Sequence, residues 1–84
     1  MLNLKIITPI GTICDTQIEK ISLPSIDGQF MVLRNHAPII ALLQGGEVRY
    51  TTIHGEEHRN IIQGGFARVL NNNVDLCVEM LKAE

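Results

Sequence analysis

Apolar and polar residues alternate in twos along most of this chain, the period of a half-buried β-strand. The clearest run is Val74 to Leu81. Val74, Leu76, Val78 and Met80 share one side, with Asp75, Cys77 and Glu79 opposite. Asn71-Asn72-Asn73 stands before it and predicts a turn, because Asn tolerates left-handed backbone angles. Phe66 to Leu70 precedes that turn, so the two runs predict a hairpin. A second hairpin follows the same logic. Glu47 to Ile53 places Val48, Tyr50 and Thr52 on one side, His54-Gly55-Glu56 supplies a turn, and Glu57 to Gln63 returns. Gly45-Gly46 and Gly64-Gly65 punctuate both ends.

The N-terminal third behaves alike. Leu4 to Thr8 predicts a strand halted at Pro9 and turned at Gly11. Thr16 to Leu23 predicts another, whose alternation slips between Ile18 and Ile21; a β-bulge accounts for the slip. Phe30 to Leu33 and Ile39 to Leu43 are apolar on both faces, as in strands covered on both sides, within the fold or by another subunit. Alternation turns half of such side chains outward, so Ile39 or Ile40, and Met31 or Leu33, face away from the core. Roughly eight to ten short strands result. That density predicts an all-β two-sheet sandwich, or flattened barrel, in a single domain over residues 1–84. The last residues, Leu81-Lys82-Ala83-Glu84, are too few for a helix of their own.

Composition narrows the class. Apolar residues make up 45% and charged residues 19% of the 84, a globular balance rich in β-branched side chains. A domain this short sits near the low end of the usual stability range of roughly 5–15 kcal/mol, so a permanent partner covering one face would help it. The formal charge of −2 leaves no electrostatic footprint for nucleic acid, and no Lys/Arg run suggests a lipid surface. No apolar stretch approaches about 20 residues, and the first residues lack the basic start and apolar centre of a signal peptide. A soluble, intracellular protein without direct lipid insertion is expected. Cys14 and Cys77, far apart and outside any CxxC, are expected to be reduced, buried thiols.

Candidate chemistry is thin. Ser22, Ser25, Asp27 and His36 cluster in sequence, without the G-x-S-x-G elbow of a hydrolase. The glycine pairs lack the Lys-Ser/Thr and helix of a phosphate loop. His54 and His58 straddle a turn, and with Cys14, Cys77 and His36 they lack the paired short spacing of a closed zinc site. No catalytic residue, metal or cofactor is expected.

From Leu23 the order of residues becomes specific. Leu23-Pro24-Ser25-Ile26-Asp27-Gly28-Gln29-Phe30-Met31-Val32-Leu33-Arg34-Asn35-His36-Ala37-Pro38 resembles a stretch that reads L-P-G-x-x-G-x-F-G-V-L-P-G-H-A-P in the epsilon subunit of F-type ATP synthases. Leu4 to Gly11 resembles that family's start, Gly45-Gly46-Glu47-Val48-Arg49 its turn into a basic strand, and Gln63-Gly64-Gly65-Phe66 its S-G-G-F. The chain departs where the family has Gly, at Met31, and where it has Pro-Gly, at Arg34-Asn35. Asn at position 35 can still serve a left-handed turn.

The resemblance implies a ten-strand sandwich and a non-catalytic rotor subunit of a proton-translocating synthase. Such a subunit couples the membrane ring of c-type subunits to the gamma-type shaft, and through it, indirectly, to the catalytic head. It implies a ring-facing loop at Gly28, Gln29, Phe30 and Met31, and a shaft-facing surface at Thr8, His36 and Ala41, with Pro38 and Ile40 nearby. The lack of a targeting segment favours the cytoplasmic face of a bacterial inner membrane, with a mature organelle protein as the alternative. Family members commonly continue into a C-terminal helical hairpin. If the chain ends naturally at Glu84, inhibition of ATP hydrolysis and nucleotide binding by that hairpin are not expected of it. The alternative from another class is a free-standing sandwich adaptor that binds a peptide by strand addition. A small hydrolase, losing activity on His36→Ala, is a third.

Overall fold

The alternating runs fold as seven strands in the computed structural model, which describes residues 1–80. They are β1 (Leu2–Thr8), β2 (Gly11–Ser25), β3 (Gly28–Val32), β4 (Ile39–Leu43), β5 (Gly46–Thr52), β6 (Glu57–Leu70) and β7 (Asn73–Met80). The expectation for Leu81 to Glu84 lies outside the described residues.

Seven strands, rather than eight to ten, arise because β2 and β6 each run through both layers. In the first layer the C-terminal half of β2 pairs with β3 and β5, and β5 pairs with the N-terminal half of β6. In the second layer the N-terminal half of β2 pairs with β1, which lies parallel to β7. The C-terminal half of β6 then joins β7 to β4. Each long strand changes partner at an irregularity, between Ile18 and Lys20 in β2 and between Ile62 and Gly64 in β6. A bulge bends and twists the strand that carries it, which lets one strand turn the corner of a sandwich. The slip expected between Ile18 and Ile21 is this corner. The pause at Gly64-Gly65 is the other corner, so Glu57–Gln63 and Phe66–Leu70 form one strand.

Alternation builds the core directly. Leu2, Leu4 and Ile6 of β1 are buried, as are Val74, Leu76 and Val78 of β7 and Val48, Tyr50 and Thr52 of β5. In β2 the buried set passes from Ile18 to Ile21 and Leu23 across the bulge. Each fully buried aliphatic side chain contributes roughly 1.5–3 kcal/mol. Asn71 and Asn72 both take positive φ (50° and 62°), giving the two-residue hairpin loop that matches strand twist, and Asn73 opens β7.

Tyr50 of β5 reaches from the first layer to the part of β2 that belongs to the second. Its ring is buried and stacks on His58 (centroids 5.2 Å apart), and its hydroxyl lies 3.5 Å from the Cys14 thiol. Cys14 and Cys77 are free and half-buried rather than fully buried. Burial, then the hydrogen bond to Cys14, pushes the Tyr50 phenol from 10.0 up to about 12. The unfolded phenol ionises first as pH rises, so stability falls between about pH 10 and about pH 12. Urea unfolding at pH 8 and pH 11 should show a smaller alkaline loss in Tyr50→Phe than in the wild type. An equal loss in both would assign it to other groups.

Candidate functional site

The sequence-derived candidates lie on β3, β4 and the loops around them. The β2–β3 turn is held by the buried Ser25 hydroxyl, which accepts the Asp27 N–H at 2.9 Å. Gly28 takes φ 121° at its end and pairs with Ser25. The Gln29 amide donates to the Ser22 hydroxyl at 2.7 Å, which holds it along the outer face of the first layer. Phe30 turns inward against the core, with its ring 6.4 Å from that of His36. Met31 turns outward and is half exposed.

The loop from Leu33 to Pro38 carries Asn35 at φ 67°, so the left-handed position expected there is present. The His36 N–H donates to the Leu33 carbonyl at 3.1 Å, and its Nδ1 donates to the Ala37 carbonyl at 2.6 Å. In β4, Ile39, Ala41 and Leu43 lie toward the interior, while Ile40 (72% exposed) and Leu42 (60%) face out.

A 580 Å³ depression on the open side between β3 and β4 gathers six of the nine candidates: Gly28, Gln29, Phe30, His36, Ile40 and Ala41. Pro38 and Ile40 line a smaller hollow of 270 Å³ with Arg68 and Leu70. Met31 lies outside both. Thr8 sits apart at the β1–β2 turn, where its hydroxyl donates to the Gly11 carbonyl and accepts the Ile10 N–H.

Sequence patterning missed what lies between Thr8 and Ile40. On the outer face of the second layer, Leu42 stands opposite Phe66, Phe66 opposite Cys77, and Cys77 opposite Ile7. This apolar row crosses four strands, and Phe66 in it is 44% exposed. Thr8 adjoins its β1 end, while Ile40 and Ala41 flank its β4 end. The row beside it is polar apart from Ile40, running through Arg68, Asp75 and Lys5. The first layer presents a different outer face. There Met31, Ser22, Arg49 and Arg59 stand in register, and each Arg is neutralised by the Glu two residues before it. One signal for the apolar row was available: Ala67 and Val69 point inward, so alternation turns Phe66, one of two Phe in the chain, to the surface.

Among the described residues the hydrogen bonds assemble no hydrolytic relay: the Ser25 hydroxyl meets the Asp27 N–H, the Ser22 hydroxyl meets Gln29, and the His36 Nδ1 meets a backbone carbonyl, so none of them joins a serine to the imidazole. Among the described residues no three His, Cys, Asp or Glu side chains lie close enough to share a metal ion. What the surface can do is bind protein: an apolar row with polar neighbours is the anatomy of an interface.

Residues 1–83 match the family described as the ATP synthase delta/epsilon chain β-sandwich domain. The chloroplastic ATP synthase epsilon chain of Cyanidioschyzon merolae is 42% identical over 77 residues, covering 92% of this chain and 58% of that relative. The ATP synthase epsilon chain of Synechocystis is 38% identical over 78 residues, covering 92% and 56%. This chain therefore spans a little over half the length of these relatives. A chain in the cryo-EM structure of the Euglena gracilis mitochondrial ATP synthase has the same fold. The TM-score is 0.87 at 23% identity, covering 92% of this chain and 49% of that one. With the family match running from the first residue to the eighty-third, this chain belongs to the ATP synthase delta/epsilon chain family and is its β-sandwich domain.

Proposed function

We propose that this domain is a non-catalytic rotor piece of a proton-driven F-type ATP synthase, coupling the membrane ring to the central shaft. The observation that carries the proposal is the apolar row Leu42–Phe66–Cys77–Ile7 on one outer face, against a charged outer face on the other layer. The apolar face suits a gamma-type shaft subunit, because stable interfaces are apolar at their centre and exclude charge there. The β2–β3 turn, with Gly28 and Gln29, suits the ring of c-type subunits. The catalytic head is reached indirectly, through the shaft. A close-packed sandwich is a stiff body, and stiffness is what transmission of torque requires. The location we propose with it is the cytoplasmic face of a bacterial inner membrane.

The test is co-expression with the gamma-type subunit of the same source, followed by size-exclusion chromatography. Co-elution in one-to-one ratio is expected. His36→Arg should reduce it, while Gln29→Arg should leave it intact and weaken attachment to the ring in the assembled complex. Separate elution of two folded partners would overturn the shaft assignment.

One observation favours a second reading. β3 pairs with β2 on one edge, and among the described residues its other edge has no strand partner. Such an edge suits a peptide added as an extra strand. Binding of short extended peptides, without affinity for the gamma-type subunit, would bring that reading forward.

A further inference from the structure

We propose that Asn72, at the far hairpin between β6 and β7, is a positioning residue for the shaft-facing loop, acting through a reciprocal clasp with Asn35. The inference rests on the shaft reading above and goes beyond it. The Asn35 N–H donates to the Asn72 Oδ1 at 2.6 Å, and the Asn72 amide donates back to the Asn35 Oδ1 at 3.2 Å. The two residues are 37 apart in sequence. Both hold positive φ, 67° and 62°. Left-handed angles are costly for most side chains, and Asn is among the few that accept them. Glycine would meet the backbone requirement at either position, but it has no amide to form the clasp.

The loop from Leu33 to Pro38 needs such an anchor. Its other hydrogen bonds among the described residues are internal, from His36 to Leu33 and from His36 to Ala37. Asn72 is itself fixed, because its carbonyl accepts the Asn3 N–H at 2.9 Å. Asn3, Asn72 and Asn35 therefore tie the start of β1, the β6–β7 hairpin and the β3–β4 loop into one block. His36 directly follows Asn35, and Pro38 and Ile40 follow within five residues. A loop held in its bound shape before contact loses less freedom on binding.

Affinity for the gamma-type subunit is measured by titration calorimetry, and exchange of the Asn35 amide proton by NMR on the free domain. Asn72→Gly keeps the left-handed turn and removes the clasp. It should weaken binding roughly tenfold and speed exchange at Asn35. Asn72→Asp keeps an acceptor for the Asn35 N–H, and the Asn35 amide can rotate to donate to the carboxylate; affinity should return to within about twofold. Asn71→Gly alters the same turn without touching Asn35, and should leave affinity and exchange at wild-type values. Unchanged affinity in Asn72→Gly, or an equal loss in Asn71→Gly, overturns the role given to Asn72 while the shaft reading stands. Absence of binding by the wild type overturns both.

Discussion

Gly65→Ala is expected to leave the domain unfolded or nearly so. Gly65 sits in β6 at the corner where the strand passes from β5 to β7 and β4. A methyl group there would run into the Cys77 carbonyl oxygen and approach the Val78 Cα to 2.7 Å. Both obstacles are backbone, so no side chain can rotate away. The φ of 147° is itself poor for any residue with a Cβ. Overpacking costs about 1–3 kcal/mol and an unfavourable backbone region about 1–3 more, for a combined loss of about 4 kcal/mol. A small domain near 5 kcal/mol has little left after that. Denaturant titration should put the midpoint near zero, or show no folded baseline. The neighbouring Gly64→Ala meets the Leu43 carbonyl at 3.3 Å and should be milder. A Gly65→Ala protein melting within a few degrees of the wild type would mean that the corner can open without cost.

The second large effect concerns binding. Leu42→Lys is expected to lower affinity for the gamma-type subunit about a hundredfold, because it sets a charge at the β4 end of the apolar row and removes a side chain that the proposed interface would bury. Stability should hardly move. Leu42 is mostly exposed, and a surface substitution that leaves the backbone pairing of β4 in place changes stability little. Ile61→Lys is the matched control. Ile61 is also an exposed apolar strand residue, but it lies opposite Glu47 on the charged layer. Its substitution should leave affinity alone. Equal losses from both would indicate nonspecific adhesion, and no loss from Leu42→Lys would move the interface off this face.

Much of the fold was legible because alternation is local. Val48, Tyr50 and Thr52 face inward as their spacing predicts, and so do Val74, Leu76 and Val78. Even the slip near Ile18 could be assigned to a bulge. Two things were not legible. Gly64 and Gly65 contribute no side chains to a pattern, so a bend in one strand looked like the boundary between two. The apolar row could not be assembled either. Leu42, Phe66, Cys77 and Ile7 are neighbours only because β4, β6, β7 and β1 stand in that order and register, and strand order is not a local property. The nine candidate positions came from resemblance, and the structure gathers six of them in one depression. It leaves Thr8 beyond the far end of a row that no local signal traced.

The parallel pairing of β1 with β7 bears on how the chain reaches this state. Asn3 lies beside Asn73 and Ile7 beside Cys77, partners some 70 residues apart in sequence. β7 is wedged between β1 and β6, so until Val74, Leu76 and Val78 arrive, Leu2, Leu4 and Ile6 have no neighbours on that flank. Closing so long a loop comes before its reward, which places such topologies among the slower folders, in milliseconds to seconds. During synthesis the second layer cannot assemble while β7 is still within the ribosome. The apolar first strand must wait for almost the whole domain to emerge, in the interval when misassociation with other chains is easiest.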